Sequence, residues 1–75
     1  MHPIDRLCKA FEMTRYALTK KSGLNRSTLD AVVNRNVSID TMKVSTIRKM
    51  ALALEIEPTE VLGLLIKYED EKNQA

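Results

Sequence analysis

A chain of 75 residues with 44% apolar and only 4% aromatic side chains, 2 glycines and 2 prolines has room for one small core and reads as helical rather than sheet-forming or disordered. Its formal net charge of +2 conceals a division: residues 1–50 carry ten Lys and Arg against four Asp and Glu, a balance of +6, whereas residues 51–75 carry two against six, a balance of −4. No run approaches the roughly 18 apolar residues of a membrane span. The N-terminus lacks the basic-then-apolar pattern of a secretion signal. The single cysteine, Cys8, has no disulfide partner in the chain, so a reducing cytoplasm is expected. A basic front and an acidic back suit a domain that offers one side to a polyanion, although scattered charge also simply solvates a surface.

In chain order, residues 3–11 are predicted as the first helix. Pro3 suits a first helical position, and Ile4, Leu7, Cys8 and Phe11 recur at helical spacing on one face. Phe11 is expected to anchor the core. The stretch from Thr14 to Arg35 then contains one pattern twice. Met13, Thr14 and Leu18, and again Leu24, Asn25 and Leu29, place an apolar residue before a capping side chain and another four positions after it. Each set is a cap with a hydrophobic staple. Between them Ser22-Gly23 ends the second helix, since glycine tolerates the left-handed turn required there. Two short capped helices with a tight turn between them read as a helix-turn-helix over residues 14–35.

Within that unit Arg15 sits in the first turn of the second helix, where a cation opposes the helix dipole, so a compensating anion is expected; an external phosphate would serve. The third helix, from Asn25 to about Asn34, turns Leu29, Val32 and Val33 inward. Its other side holds Arg26, Ser27, Asp30, Ala31 and Asn34, a face short-chained enough to approach a groove closely. The connection Asn36 to Val44 keeps no single period. The fourth helix is expected to start with Ser45 as its cap, because Ile47, Met50, Ala51 and Leu54 follow; a start at Asp40 is the alternative. The last helix begins near Pro58, behind the weak cap Glu57, with Val61, Leu62, Leu65 and Ile66 on its apolar face. Gly63 weakens it by roughly 1 kcal/mol against alanine unless a neighbour needs the space. Residues 1–68 are thus expected to form the domain and residues 69–75, acidic and polar, a frayed tail.

The string LTKKSGLNRSTL, Leu18 to Leu29, resembles the phage repressor/Cro-like helix-turn-helix family, often called the XRE type. The segment STIRKMALALEIEPTEVL, ending at Leu62, resembles that family's fourth helix and the start of its fifth. The resemblance spans residues 4–62 and implies an all-α, compact five-helix bundle with the third helix in the major groove of double-stranded DNA. It also implies roles. Arg26, Ser27 and Ala31 match base-reading positions, and Arg15, Asn25 and Asn34 match positions that hold phosphate. Lys43 is added as a phosphate contact by its location before the fourth helix. Three departures stand out. Thr19 replaces the family's alanine where the two motif helices meet, Arg35 stands where glycine is frequent, and the connection that follows is longer than usual.

The function expected is a sequence-specific DNA-binding transcriptional regulator, repressor-like, bound as a dimer to two half-sites. Leu64, Leu65, Ile66 and Tyr68 would supply the dimer surface; the same stripe would equally serve to close the bundle. The alternative is a protein-interaction module on the same fold, an antirepressor or antitoxin component, using the C-terminal half. An enzyme is not expected. The one histidine, His2, lies near a terminus expected to be mobile, and with Cys8 it makes no metal or nucleophile spacing. There is no glycine-rich phosphate loop, and no cofactor is expected.

Overall fold

The computed structural model describes residues 1–74. Its helices are α1 (Pro3–Ala10), α2 (Arg15–Ser22), α3 (Arg26–Asn34), α4 (Val44–Leu54) and α5 (Pro58–Asn73), with one 3-10 turn at Ile39–Thr41. The expected all-α, five-helix architecture is the one observed. The core is built from Ile4, Leu7, Leu18, Leu29, Met50, Val61 and Leu65, all fully buried, with Ile39, Ile47, Ala51 and Leu54 around them. Phe11, expected as a core anchor, packs against that cluster from its edge.

The caps explain the helix starts. Thr14 Oγ1 accepts from Ala17 N at 3.0 Å, and Asn25 Oδ1 accepts from Ser27 N at 3.0 Å. Each satisfies an amide that has no partner within its own helix. Gly23 closes α2 in the left-handed conformation at φ 74°. After α3 the left-handed position is Asn36 (φ 52°), one residue beyond Arg35. Asparagine tolerates that region better than arginine does, which is how the chain turns without a glycine at Arg35. Thr19 is buried on α2, and its hydroxyl donates to Tyr16 O at 2.7 Å. The extra polar group is therefore satisfied locally.

Four expectations are corrected. α4 starts at Val44 with Lys43 at its cap position, not with Ser45 as cap, and no side chain bonds that terminus. His2, expected near a mobile terminus, is not exposed. It is buried, its Nδ1 accepts from Ile4 N at 3.1 Å and its Nε2 lies 2.9 Å from Val37 O, so it caps α1 and ties it to the segment after α3. Leu65 is fully buried, and Leu64 and Tyr68 pack against the core; of the four residues expected at a dimer surface only Ile66 is exposed, and Leu62 stands exposed beside it. Finally, residues 69–73 are not a frayed tail but the last turns of α5, while Ala75 lies outside the described residues.

Long-range bonds account for those last turns. Glu69 Oε2 accepts from Ile39 N at 2.7 Å and its Oε1 from Ser38 Oγ at 3.2 Å. Lys72 donates to Asn36, and Arg6 pairs with Glu71 at 3.5 Å. The end of α5 thus pins the connection between α3 and α4. Glu69→Ala is expected to cost about 1.5–3 kcal/mol, the range for hydrogen bonds to a charged group, read as a lowered midpoint in urea unfolding. Gly63 is a different case. A methyl group built there meets nothing within 4 Å, so no neighbour needs the space. Gly63→Ala is expected to stabilise by about 1 kcal/mol, raising the thermal midpoint by about 4–8 °C for a domain of this size.

Cys8 is buried on α1, and burial, with Asp5 adding to it, pushes its thiol up to about 11. It is protonated at neutral pH and serves as a small apolar side chain.

Candidate nucleic-acid interface

The way α3 is held decides what it can touch. It packs on α2 and fully buries one residue, Leu29. Val32 and Val33 lie half-buried against the core, and Arg26, Ser27, Thr28 and Asn34 are exposed, with Ala31 half-exposed one turn beyond Ser27. α5 instead packs on α1, α4 and the 3-10 turn. The acidic half of the chain therefore does not cover the outer side of α3.

Arg26 opens this outer side. Its side chain is 69% exposed, its Nε lies 3.6 Å from Asp30 Oδ2, and its guanidinium stands 5.5 Å from the centre of the Tyr16 ring. Ser27, next along, donates its hydroxyl proton to Asn25 Oδ1 at 2.7 Å. Its oxygen lone pairs remain as acceptors, and the Asn25 amide nitrogen remains as a donor. Asn34 stands exposed in the last turn.

Arg15 is placed differently from what its position in the sequence suggested. Its Nε reaches Asp5 Oδ1 on α1 at 3.1 Å, and its Nη1 reaches Asp30 Oδ1 on α3 at 3.2 Å. The anion required to balance a cation at a helix start comes from two carboxylates of the chain itself. An external phosphate is not needed for that balance, and the side chain ties three helices together.

Lys43 is exposed at the cap position of α4. The first-turn amides of α4 receive no side-chain cap, so a helix N-terminus and an ammonium lie at one place, a combination suited to a phosphate. A cleft lined by Thr28, Val32, Thr41, Met42, Lys43 and Thr46 separates this terminus from α3. The outer side of the motif thus combines a projecting arginine, short polar side chains and a cationic helix start. That arrangement can lie against a duplex, with α3 toward base edges and α4 toward the backbone.

Two participants escaped the sequence reading. Tyr16 is exposed, with Arg26 on one side and Lys20 Nζ 5.1 Å from its ring. Its outward face follows from the inward positions of Ala17 and Leu18, so helical spacing alone would have found it. Asp5 had no such signal, since its partner is on another helix. Among the described residues no three His, Cys, Asp or Glu side chains group as a metal site requires, and no helix is long and apolar enough to cross a membrane.

A family model described as Cro/C1-type HTH DNA-binding domain matches residues 3–65. No curated protein and no solved structure matches the chain.

Proposed function

The chain belongs to the Cro/C1-type helix-turn-helix DNA-binding family, and from that premise we propose that it is a sequence-specific, repressor-like transcriptional regulator. The observation that carries this reading is the outer side of α3, where the exposed Arg26 leads a short-chained face that no other helix among the described residues covers. Arg26 reads a base edge by donating from its guanidinium. Ser27 offers an acceptor, and Ala31 offers a methyl-sized surface to thymine. Asn25, Asn34 and Lys43 contact phosphates, Lys43 together with the uncapped start of α4. Arg15, held by two carboxylates, leaves the phosphate set.

Binding as a dimer is part of the proposal. Leu62 and Ile66 on α5 are exposed, at 39% and 43%, and support self-association through that helix. The same pair keeps a second reading in view, a protein-interaction module whose partner docks on α5.

The test is binding to the DNA flanking the protein's own gene against an unrelated duplex, over a salt series. Preference for the flanking DNA by about a thousandfold or more is expected of specific recognition. Equal affinity for both, together with no sequence enriched from a random library, would overturn the reading in favour of the protein-interaction module. In the same series Lys43→Ala is expected to weaken all duplexes alike and to reduce the slope of log affinity against log salt by about one. An unchanged slope would take Lys43 off the backbone.

A further inference from the structure

An exposed arginine is by itself an indifferent DNA ligand, because its guanidinium satisfies phosphate as readily as guanine. Arg26 is not indifferently placed. Behind it runs a chain of alternating charges across three helices: Asp5 on α1, Arg15 on α2, Asp30 and Arg26 on α3. Arg15 takes one oxygen of Asp30, Oδ1, at 3.2 Å, which turns the other, Oδ2, toward Arg26 Nε at 3.6 Å. Both inner members are about two-thirds buried, whereas Arg26 is 69% exposed. The Tyr16 ring stands at 5.5 Å on the same side, within the range of a cation–π contact.

We propose that Asp30 and Tyr16 are positioning residues that aim Arg26 at guanine, with Arg15 holding Asp30 from behind. This rests on the reading of α3 as the DNA-reading helix. An ion pair through Nε leaves the two terminal amino groups of the guanidinium unengaged, and those two groups match the paired acceptors O6 and N7 on guanine's major-groove edge. Holding a long, flexible side chain in that pose before binding reduces the ordering it loses on the DNA. Asp30 has a second effect. A carboxylate on the DNA-facing helix repels phosphate, so it weakens contact with every duplex while favouring the one that offers Arg26 a guanine. Arg15 contributes through Asp30, not through the backbone of the DNA.

The experiment is selection from a random duplex library, followed by competition titrations, with the full chain and its Asp30→Asn, Tyr16→Leu, Tyr16→Phe and Arg15→Ala variants. The wild type is expected to select guanine at one position of each half-site. Asp30→Asn and Tyr16→Leu are expected to reduce that preference about tenfold, within the range of one bidentate contact, while Tyr16→Phe retains it because the ring face remains. Affinity of Asp30→Asn for random duplex is expected to hold or rise, a result that loss of folding would not produce. Arg15→Ala is expected to lower the guanine preference and leave the salt slope unchanged, where loss of a phosphate contact would reduce it by about one. Should Asp30→Asn unfold, as its melting curve would report, Tyr16→Leu at a half-exposed position decides alone. A wild-type guanine preference that survives in Tyr16→Leu and Asp30→Asn would overturn the positioning roles while leaving Arg26 as a reader. A wild type that enriches no sequence would overturn the regulator reading itself, and the inference with it.

Discussion

Leu65→Ala is expected to lower the unfolding free energy by about 2–5 kcal/mol, the range for emptying a fully enclosed leucine site. Leu65 is fully buried in the middle of α5, the helix on which α1 and α4 both pack. Small domains hold only about 5–15 kcal/mol in total, so much of the population should unfold near physiological temperature. The measurement is chemical unfolding followed by circular dichroism at two protein concentrations. Leu65→Ala should shift the midpoint at both. Ile66→Glu, one residue along at an exposed position, should keep the helical signal, and if α5 carries the dimer it should raise the dissociation constant in sedimentation. A Leu65→Ala variant as stable as wild type would return that residue to the interface.

Arg26→Ala is expected to lower discrimination at one base position by about 1–3 kcal/mol and to change affinity for random DNA far less. The asymmetry follows from its placement: its Nε is ion-paired with Asp30 while the side chain is 69% exposed on α3. Its removal leaves Asp30 still paired with Arg15, so the cost that this carboxylate places on every duplex changes little. Fluorescence titrations with the selected duplex and with single-base variants check this. Equal losses on selected and random DNA would assign Arg26 to phosphate and remove the basis for aimed reading.

The motif was legible in the sequence because its signals are local. Thr14 and Asn25 bond amides two or three residues away, Gly23 turns a single peptide, and Pro58 stands at the first position of α5. The spacing that put Leu18, Leu29, Met50 and Val61 inside is likewise a property of each helix alone. The start of α4 was not legible for the opposite reason. No side chain caps it, so Ser45 looked the better boundary, whereas the helix begins at Val44.

The candidate interface divides along the same line. That Arg26 and Ser27 sit on the outward side of α3 follows from helical periodicity. What Arg15 does depends on carboxylates ten and fifteen residues distant, on helices that meet only in the folded chain. The last turns of α5 read as a loose acidic tail because the partners of Glu69 and Lys72 lie about thirty or more residues earlier. Leu65 and Ile66 belong to one amphipathic stripe in the sequence, and only the packing of α1 and α4 against α5 decides that the first is core and the second surface. By itself, then, the sequence determined which segments are helices, where most of them start, and which side of the motif faces outward, since a turn of helix and its cap span only a few residues. The tertiary structure alone decided which charges neutralise one another and which apolar residues remain exposed, since both depend on surfaces brought together from distant parts of the chain.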